Sequence, residues 1–141
     1  MQIREITKLD ERTLREVERL MIQLGGDGNF DEASLSELIL SPYSHIYAAC
    51  EDDSRILGLA SLCIYHAPSG KMASIEDVIV DEAARGKHVG RALLERVLEE
   101  ARREAPIKLK LTSRPSRIAA NTLYLSLGFS LRQTNPYELV L

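Results

Sequence analysis

The chain has only two cysteines, no apolar run of membrane-spanning length and no surplus of positive charge. Each shortage narrows the possibilities. Cys50 and Cys63 stand apart in apolar, strand-like runs without C-x-x-C spacing, the pattern of reduced core cysteines rather than of a metal site or a disulfide. The opening Met1-Gln2-Ile3-Arg4-Glu5 contains no hydrophobic leader core, so the expectation is a soluble, cytoplasmic protein without a membrane partner. A net charge of −3 gives little support to a nucleic-acid partner bound by phosphate neutralisation. No repeat, linker or low-complexity tract is present. With 45% apolar and 28% charged residues, 1–141 is expected to form a single domain with its own core.

What is present is one organising stretch, residues 73–103. It begins as an alternating β-branched run through Ile75, Val78, Ile79 and Val80. It passes through a short basic glycine loop, Arg85-Gly86-Lys87-His88-Val89-Gly90-Arg91, and continues as an apolar-periodic helix carrying Val89, Leu93, Val97 and Ala101. Strand, glycine loop and helix N-terminus in that order make a place for a phosphorylated ligand. There the helix presents unpaired N–H groups and the positive end of its dipole, and Gly86 and Gly90 allow close approach. Arg85, Lys87 and Arg91 add formal positive charge. Neither G-x-x-x-x-G-K-[ST] nor G-x-G-x-x-G occurs in the loop, so it is neither a P-loop nor a dinucleotide fingerprint. An ordinary β-loop-α corner with surface charges is the plain alternative.

Around this stretch the pattern predicts a mixed order of elements. Residues 1–7 read as a short strand, and Asp10 as the cap of a helix through Leu24 that Gly25-Gly26 stops. Asp31 caps a second short helix up to Ser41-Pro42. The glycine-rich acidic loop between them, Gly25-Gly26-Asp27-Gly28-Asn29, could wall a substrate cleft or simply connect the helices. Residues 45–50, 55–65 and 71–81 then read as three consecutive strands, the first two a hairpin around Glu51-Asp52-Asp53-Ser54. After the long helix, residues 107–112 should form a strand parallel to residues 75–81. Ser116 caps a last helix through Leu127, and Gly128 ends it. Residues 129–132 and 137–141 close the chain as a hairpin around Thr134-Asn135-Pro136.

The loop resembles the acetyl-CoA loop of the GCN5-related N-acetyltransferase (GNAT) superfamily, Q/R-x-x-G-x-G/A. Arg85-Gly86-Lys87-His88-Val89-Gly90 fills that pattern with one departure, His88 in place of the usual first glycine. A second signal lies in the last helix. Asn121 is a poor mid-helix residue one turn before Tyr124, and Asn121-Thr122-Leu123-Tyr124-Leu125-Ser126-Leu127-Gly128-Phe129 resembles the family's motif B. The resemblance implies an α/β (α+β) fold. It has a mixed central sheet of about six to seven strands, about four flanking helices, and a splayed parallel strand pair that binds the cofactor.

It also implies roles. Val78, Ile79 and Val80 match the strand whose main chain pairs with the pantetheine arm, with an N–H near Ile79 or Val80 polarising the thioester carbonyl. Arg85, Gly86, Lys87, His88, Val89, Gly90, Arg91 and Ala92 match the pyrophosphate loop, and Asn121 a hydrogen-bonding contact to the cofactor arm. Tyr124 matches the family's general acid, and a phenol of ordinary pKa about 10 is protonated at neutral pH. Glu76, two residues ahead of the cofactor strand, is the candidate base, through a water or by attracting a cationic amine. Asp77 would face the opposite side of a regular strand. Val78, Ile79 and Val80 fit a purely structural strand equally well, Lys87 and His88 fit solvated surface charges, and Glu76 fits a surface acid. His45 and His66 look ordinary.

The expected activity is therefore acetyl-CoA-dependent N-acetylation of a primary amine, on a small molecule or a peptide, by direct attack in a ternary complex and without a metal. A homodimer is plausible, and a catalytically silent acyl-CoA-binding regulatory domain is the rival. A cofactor-free α/β interaction module would require both motif matches to be accidental.

Overall fold

The computed structural model describes residues 1–52 and 55–141. The expected turn at Glu51 to Ser54 falls partly on residues 53 and 54 and so lies outside the described residues. The chain divides into two compact units, Met1–Lys110 and Leu111–Leu141.

The first unit is a five-stranded sheet with helices. Its elements are β1 (Gln2–Glu5), α1 (Glu11–Gly25), α2 (Glu32–Leu40), β2 (Ser44–Cys50), β3 (Ile56–Ala67), β4 (Gly70–Val80), α3 (Val89–Arg103) and β5 (Lys108–Lys110). The strands lie in the order β1-β2-β3-β4-β5. The first three pairings are antiparallel and the last is parallel. Short turns link β2 to β3 and β3 to β4, whereas a helix-long crossover separates β4 from β5, which is what a parallel partner requires.

Local chemistry sets the helix ends. Asp10 and Asp31 sit in extended backbone and accept from Thr13 N at 2.7 Å and Ser34 N at 3.0 Å, each satisfying one of the amides a helix start leaves open. Gly26 ends α1 with φ +84°. The apolar stripe of α1 (Leu14, Val17, Leu20) and Leu35 of α2 pack on Ile46, Leu59 and Ile79 of the sheet. Each fully buried aliphatic side chain of this kind contributes about 1.5–3 kcal/mol. In α3 the buried stripe is Val89, Leu93, Leu94, Val97 and Ala101, and Arg96 lies 4.7 Å from the ring centre of the fully buried Tyr47.

At Gly58 of β3, neighbouring elements approach closely. A Cβ there would sit 2.8 Å from the Ile79 carbonyl oxygen, 2.9 Å from Leu93 Cδ1 and 3.2 Å from Val89 Cγ1. Only a residue without a side chain lets α3 and β4 come this close to β3.

The second unit holds α4 (Ile118–Ser126). Gly128 follows it with φ +99°, and Phe129 N donates to Tyr124 O at 3.1 Å, a helix stop of the expected kind. Ser116 is not the cap. The helix starts one residue later than expected, Arg117 is the capping position but its side chain does not cap the helix, and the Ser116 carbonyl rather than its hydroxyl accepts from Ile118 N.

The fold is mixed α/β with four α-helices, but its strands number five rather than six or seven among the described residues. The shortfall is the terminal hairpin. Residues 129–141 form no strand, and Leu131, Tyr137 and Leu139 are exposed; an apolar alternation that buries no face lacks what stabilises a two-stranded ribbon. Among the described residues no helix is long and apolar enough to cross a membrane.

Gly58→Ala should lower stability by about 1–3 kcal/mol, because the obstructing atoms include backbone that cannot swing aside. Chemical denaturation of the two proteins measures it, and an unchanged midpoint would mean that β3 and β4 separate freely at this position.

Candidate active site

The site is built on β4. Its parallel ladder with β5 covers only Met72–Lys108, Ala73–Leu109 and Ser74–Lys110, while β4 runs on to Val80. The expected parallel partnership is therefore present but lies before residues 75–81 rather than along them, because β5 ends at Lys110, opposite Ser74. On its other side β4 stays paired with β3, Ile79 opposite Leu59 and Val80 opposite Gly58.

Between those pairs and Glu76–Ser61 the register slips, and Asp77 sits at φ +53°. This is a β-bulge: an extra residue that bends the strand and re-aims side chains. Strict alternation sends Asp77 away from the face that Glu76 shares with Ser61. The bulge breaks that alternation, and Asp77 joins Ser61 in lining a cleft beneath α1 and α2. Glu76 is exposed and accepts a hydrogen bond from Ser74 Oγ, and it is not among the residues that wall the cleft. Desolvation, and then the neighbouring Glu76 charge, push the Asp77 carboxyl above the usual range.

The cleft has a volume of about 320 Å³. One of its walls is the loop between α1 and α2, with Gly28, Asn29, Phe30 and Asp31 contributing. Asn29 holds that wall in place, folding over Gly25 and donating from Nδ2 to Met21 O at 2.9 Å. The glycine-rich acidic loop is thus a wall and not merely a connection.

At the end of β4 the chain turns through Asp81 into a 3-10 turn, Glu82–Ala84. Asp81 is buried, takes Arg19 Nη1 at 2.7 Å and Arg55 Nη2 at 3.1 Å on one oxygen, and takes Ala83 N at 3.1 Å on the other. Burial alone would raise its pKa; the Ala83 N–H bond and the Arg19 guanidinium outweigh that and hold the carboxyl below the ordinary value. The sequence reading missed Asp81 and Arg19, because an acid and a base 62 positions apart leave no local signal.

The loop then passes Gly86 at φ +79° and reaches His88 at φ 63°, ψ 21°. His88 thus occupies the left-handed conformation for which glycine is the usual residue. The contrast with the other helices of this unit is chemical. Helices α1 and α2 begin with an aspartate cap and a glutamate in the first turn, whereas α3 has neither a side-chain cap nor an acid there. Its first amides are left for an anion. Arg85, Gly86, Lys87 and His88 are exposed, Val89 is buried, and Gly90, Arg91 and Ala92 are half-buried. Arg91 lies 3.5 Å from Glu95. Among the described residues, Arg85 and Lys87 make no ion pair.

In the second unit Asn121 donates from Nδ2 to Arg114 O at 3.0 Å, which fixes the amide against the turn preceding α4. Tyr124 is buried, and its ring meets Phe129 edge-on with centroids 6.1 Å apart. Burial pushes its phenol upward, with Arg117 opposing, so it stays protonated at neutral pH.

The chain matches the family model for the acetyltransferase (GNAT) family over residues 6–129. It belongs to that family. Among solved structures it is similar to an acetyltransferase from Trypanosoma brucei, at 25% identity, TM-score 0.79, with 99% of each chain covered. It is also similar to an aminoglycoside acetyltransferase from an uncultured soil metagenomic sample, at 16% identity and TM-score 0.84, with 99% of this chain and 95% of that one covered. A third is a transcriptional regulator from Bacillus halodurans, at 21% identity and TM-score 0.82, with 99% of both chains covered. No curated protein matches the chain. As a GNAT-family member the protein is an acetyltransferase in general class.

Two predictions come from the β4 end and the loop. Because Asp81 is held below its unfolded pKa of 3.8, its contribution is fully present above that value and is lost as the pH falls through the folded value. Asp81→Asn should cost about 2 kcal/mol at neutral pH, a figure moderated by the solvent around Arg55. It should also remove part of the acid-side decline seen by denaturation between about pH 5 and pH 3; an equally steep decline in the variant would show that other carboxylates cause it. At His88, glycine should leave the melting temperature near wild type, whereas His88→Val should destabilise by about 1–3 kcal/mol, since a β-branched residue resists positive φ. Equal melting points for the two variants would show that the loop tolerates another conformation there.

Proposed function

We propose that the protein is an acetyl-CoA-dependent N-acetyltransferase that passes the acetyl group to a primary amine by direct attack in a ternary complex. The observation that carries this reading is the uncapped, acid-free start of α3 behind a left-handed His88, beside a strand that outruns its parallel neighbour. Acetyl-CoA supplies the acetyl group, activated as a thioester.

The residues present suit that co-substrate. A side chain at Gly86 would meet nothing within 4 Å, so the loop offers room for a pyrophosphate against the first amides of α3. Arg85, Lys87 and Arg91 supply counter-charge, while Gly86, His88, Val89, Gly90 and Ala92 supply backbone. Val78, Ile79 and Val80 would align the pantetheine arm along β4, an N–H near Ile79 or Val80 would polarise the carbonyl, and Asn121 would hold the arm by its amide. The amine must shed a proton before it attacks, and Glu76 is assigned to take it through a water. Tyr124, kept protonated by burial, is assigned to give one to the departing thiolate.

Direct attack is favoured over an acyl-enzyme by Cys63. Desolvation raises its thiol pKa, the Glu76 and Asp77 charges add to that, and a bond to Ser44 only partly offsets them. A thiol so held is a poor nucleophile.

Acetyl-CoA should raise the melting temperature saturably, by the equivalent of about 2.7 kcal/mol at a hundred times the dissociation constant, with ATP giving no comparable shift. Tyr124→Phe preserves the ring contact with Phe129 and should lower kcat by about 100-fold or more, with acetyl-CoA affinity nearly unchanged. Unchanged turnover would remove Tyr124 from the mechanism. Binding without thiol release for any amine would instead identify a silent acyl-CoA sensor, and no shift at millimolar ligand would defeat the cofactor assignment.

A further inference from the structure

Resting on the reading of this chain as an amine acetyltransferase, we propose that its acceptor is a compact primary monoamine with an apolar body. Its alkyl or aryl group fills the cleft beneath α1 and α2, and its ammonium pairs with Asp77.

The cleft itself excludes the other common amines. At about 320 Å³ it stands at the small end of ligand sites, which run from roughly 300 to 1,000 Å³. Its lining includes the apolar side chains of Val17, Met21, Phe30, Leu35, Leu38 and Ile46. An amino sugar would bring several hydroxyls against these side chains, each losing water without a partner in exchange. A polyamine would bring a second ammonium, and the walls provide no second uncommitted carboxylate. Asp31, the other acid in the lining, already caps α2 through Ser34 N at 3.0 Å. Asp77 is the acid of the lining that makes no hydrogen bond or ion pair among the described residues, and beside so many apolar side chains it suits a single ammonium.

Asp77 is set up for the role. It is held in left-handed backbone at the bulge, a conformation that side chains adopt at some cost, and there it lines the cleft while staying exposed enough for a ligand to reach. Crowding by protein and by Glu76 disfavours its charge when no cation is near, so an ammonium that pairs with it relieves both effects. Asp77 positions the acceptor; the proton transfer stays with Glu76. Likeness of fold to an aminoglycoside acetyltransferase does not carry that acceptor over, since the acceptor is chosen by side chains lining the cleft.

The test combines acetyl-CoA binding by calorimetry with thiol release on four amines: hexylamine, 2-phenylethylamine, spermidine and glucosamine. The expected result is acetyl-CoA binding, with kcat/KM for hexylamine or 2-phenylethylamine at least about tenfold above that for the other two. Asp77→Asn keeps a residue type that accepts positive φ. It should raise the KM of the preferred amine by about tenfold or more while leaving kcat and acetyl-CoA affinity close to wild type, because a charge-assisted pair with the ground-state ammonium is lost. Glu76→Gln should instead act on kcat. If acetyl-CoA binds but spermidine or glucosamine is preferred, if none of the four is acetylated, or if Asp77→Asn leaves KM unchanged, the monoamine assignment is overturned and the cofactor reading stands. If acetyl-CoA does not bind, the acetyltransferase reading falls, and this assignment with it.

Discussion

Asp81 is a buried carboxylate at the junction of β4 and the loop that leads to α3, and three elements meet on it. Arg19 reaches it from α1 and Arg55 from the start of β3, while Ala83 N–H fixes the first turn of the loop. Arg19 also donates to Ile56 O at 3.0 Å and pairs with Glu16, whose carboxylate accepts from Ile56 N at 3.0 Å. The network therefore joins the helix that walls the cleft to the strand that carries the bulge and to the loop that presents α3. A buried ion left without partners costs several kcal/mol, so these contacts form together. The charge balance matters as much as the geometry. An unpaired carboxylate here would put negative potential beside the uncapped start of α3, and the Arg19 and Arg55 guanidiniums offset it.

Held at both ends, β4 can tolerate irregularity in between. Gly58 brings β3 close to the Ile79 carbonyl, and Ile79 packs into the core beside Leu59. Ahead of this fixed segment lies the Asp77 bulge, and beyond Ser74 the partnership with β5 has already ended. Left-handed backbone at Asp77 and again at His88 stores about 1–3 kcal/mol at each position, an amount a packed sheet with fully buried Leu59, Leu62, Leu93 and Leu94 can carry. Rigid packing on the α3 face and on the α1 face is what allows strain to persist at these two positions.

Much of this was legible in the sequence because its signals are local. Asp10 and Asp31 cap helices through amides three residues on, Gly26 and Gly128 end helices with positive φ, and the spacing of Val89, Leu93 and Val97 traces one buried face. The glycine loop and its His88 departure were readable for the same reason. What could not be read depends on partners far along the chain. Strict alternation mis-aimed Asp77, since a bulge is a property of the pairing with β3 and not of I-E-D-V-I-V alone. The terminal hairpin failed because alternation implies a strand only where a face is buried, and Leu131 and Tyr137 bury none. Gly58 looked like one more strand residue until the atoms around it were known.

The first unit sorts charge along a single strand in a way composition conceals. A chain of net charge −3 would be expected to repel anions generally. Yet Arg85 and Lys87, with the open amides of α3, gather positive potential at one end of β4, and Glu76 and Asp77 gather negative potential a few residues earlier. Asp81 lies between the two groups in the chain and is paired with Arg19 and Arg55. Under the proposed reaction, a polyanionic donor and a cationic acceptor would be steered to different parts of the same strand, each repelled from the other's place. Such sorting suits a transfer between two ligands held at once better than one in which each takes its turn at a single nucleophile. The raised thiol of Cys63, the one cysteine near the acidic pair, points the same way.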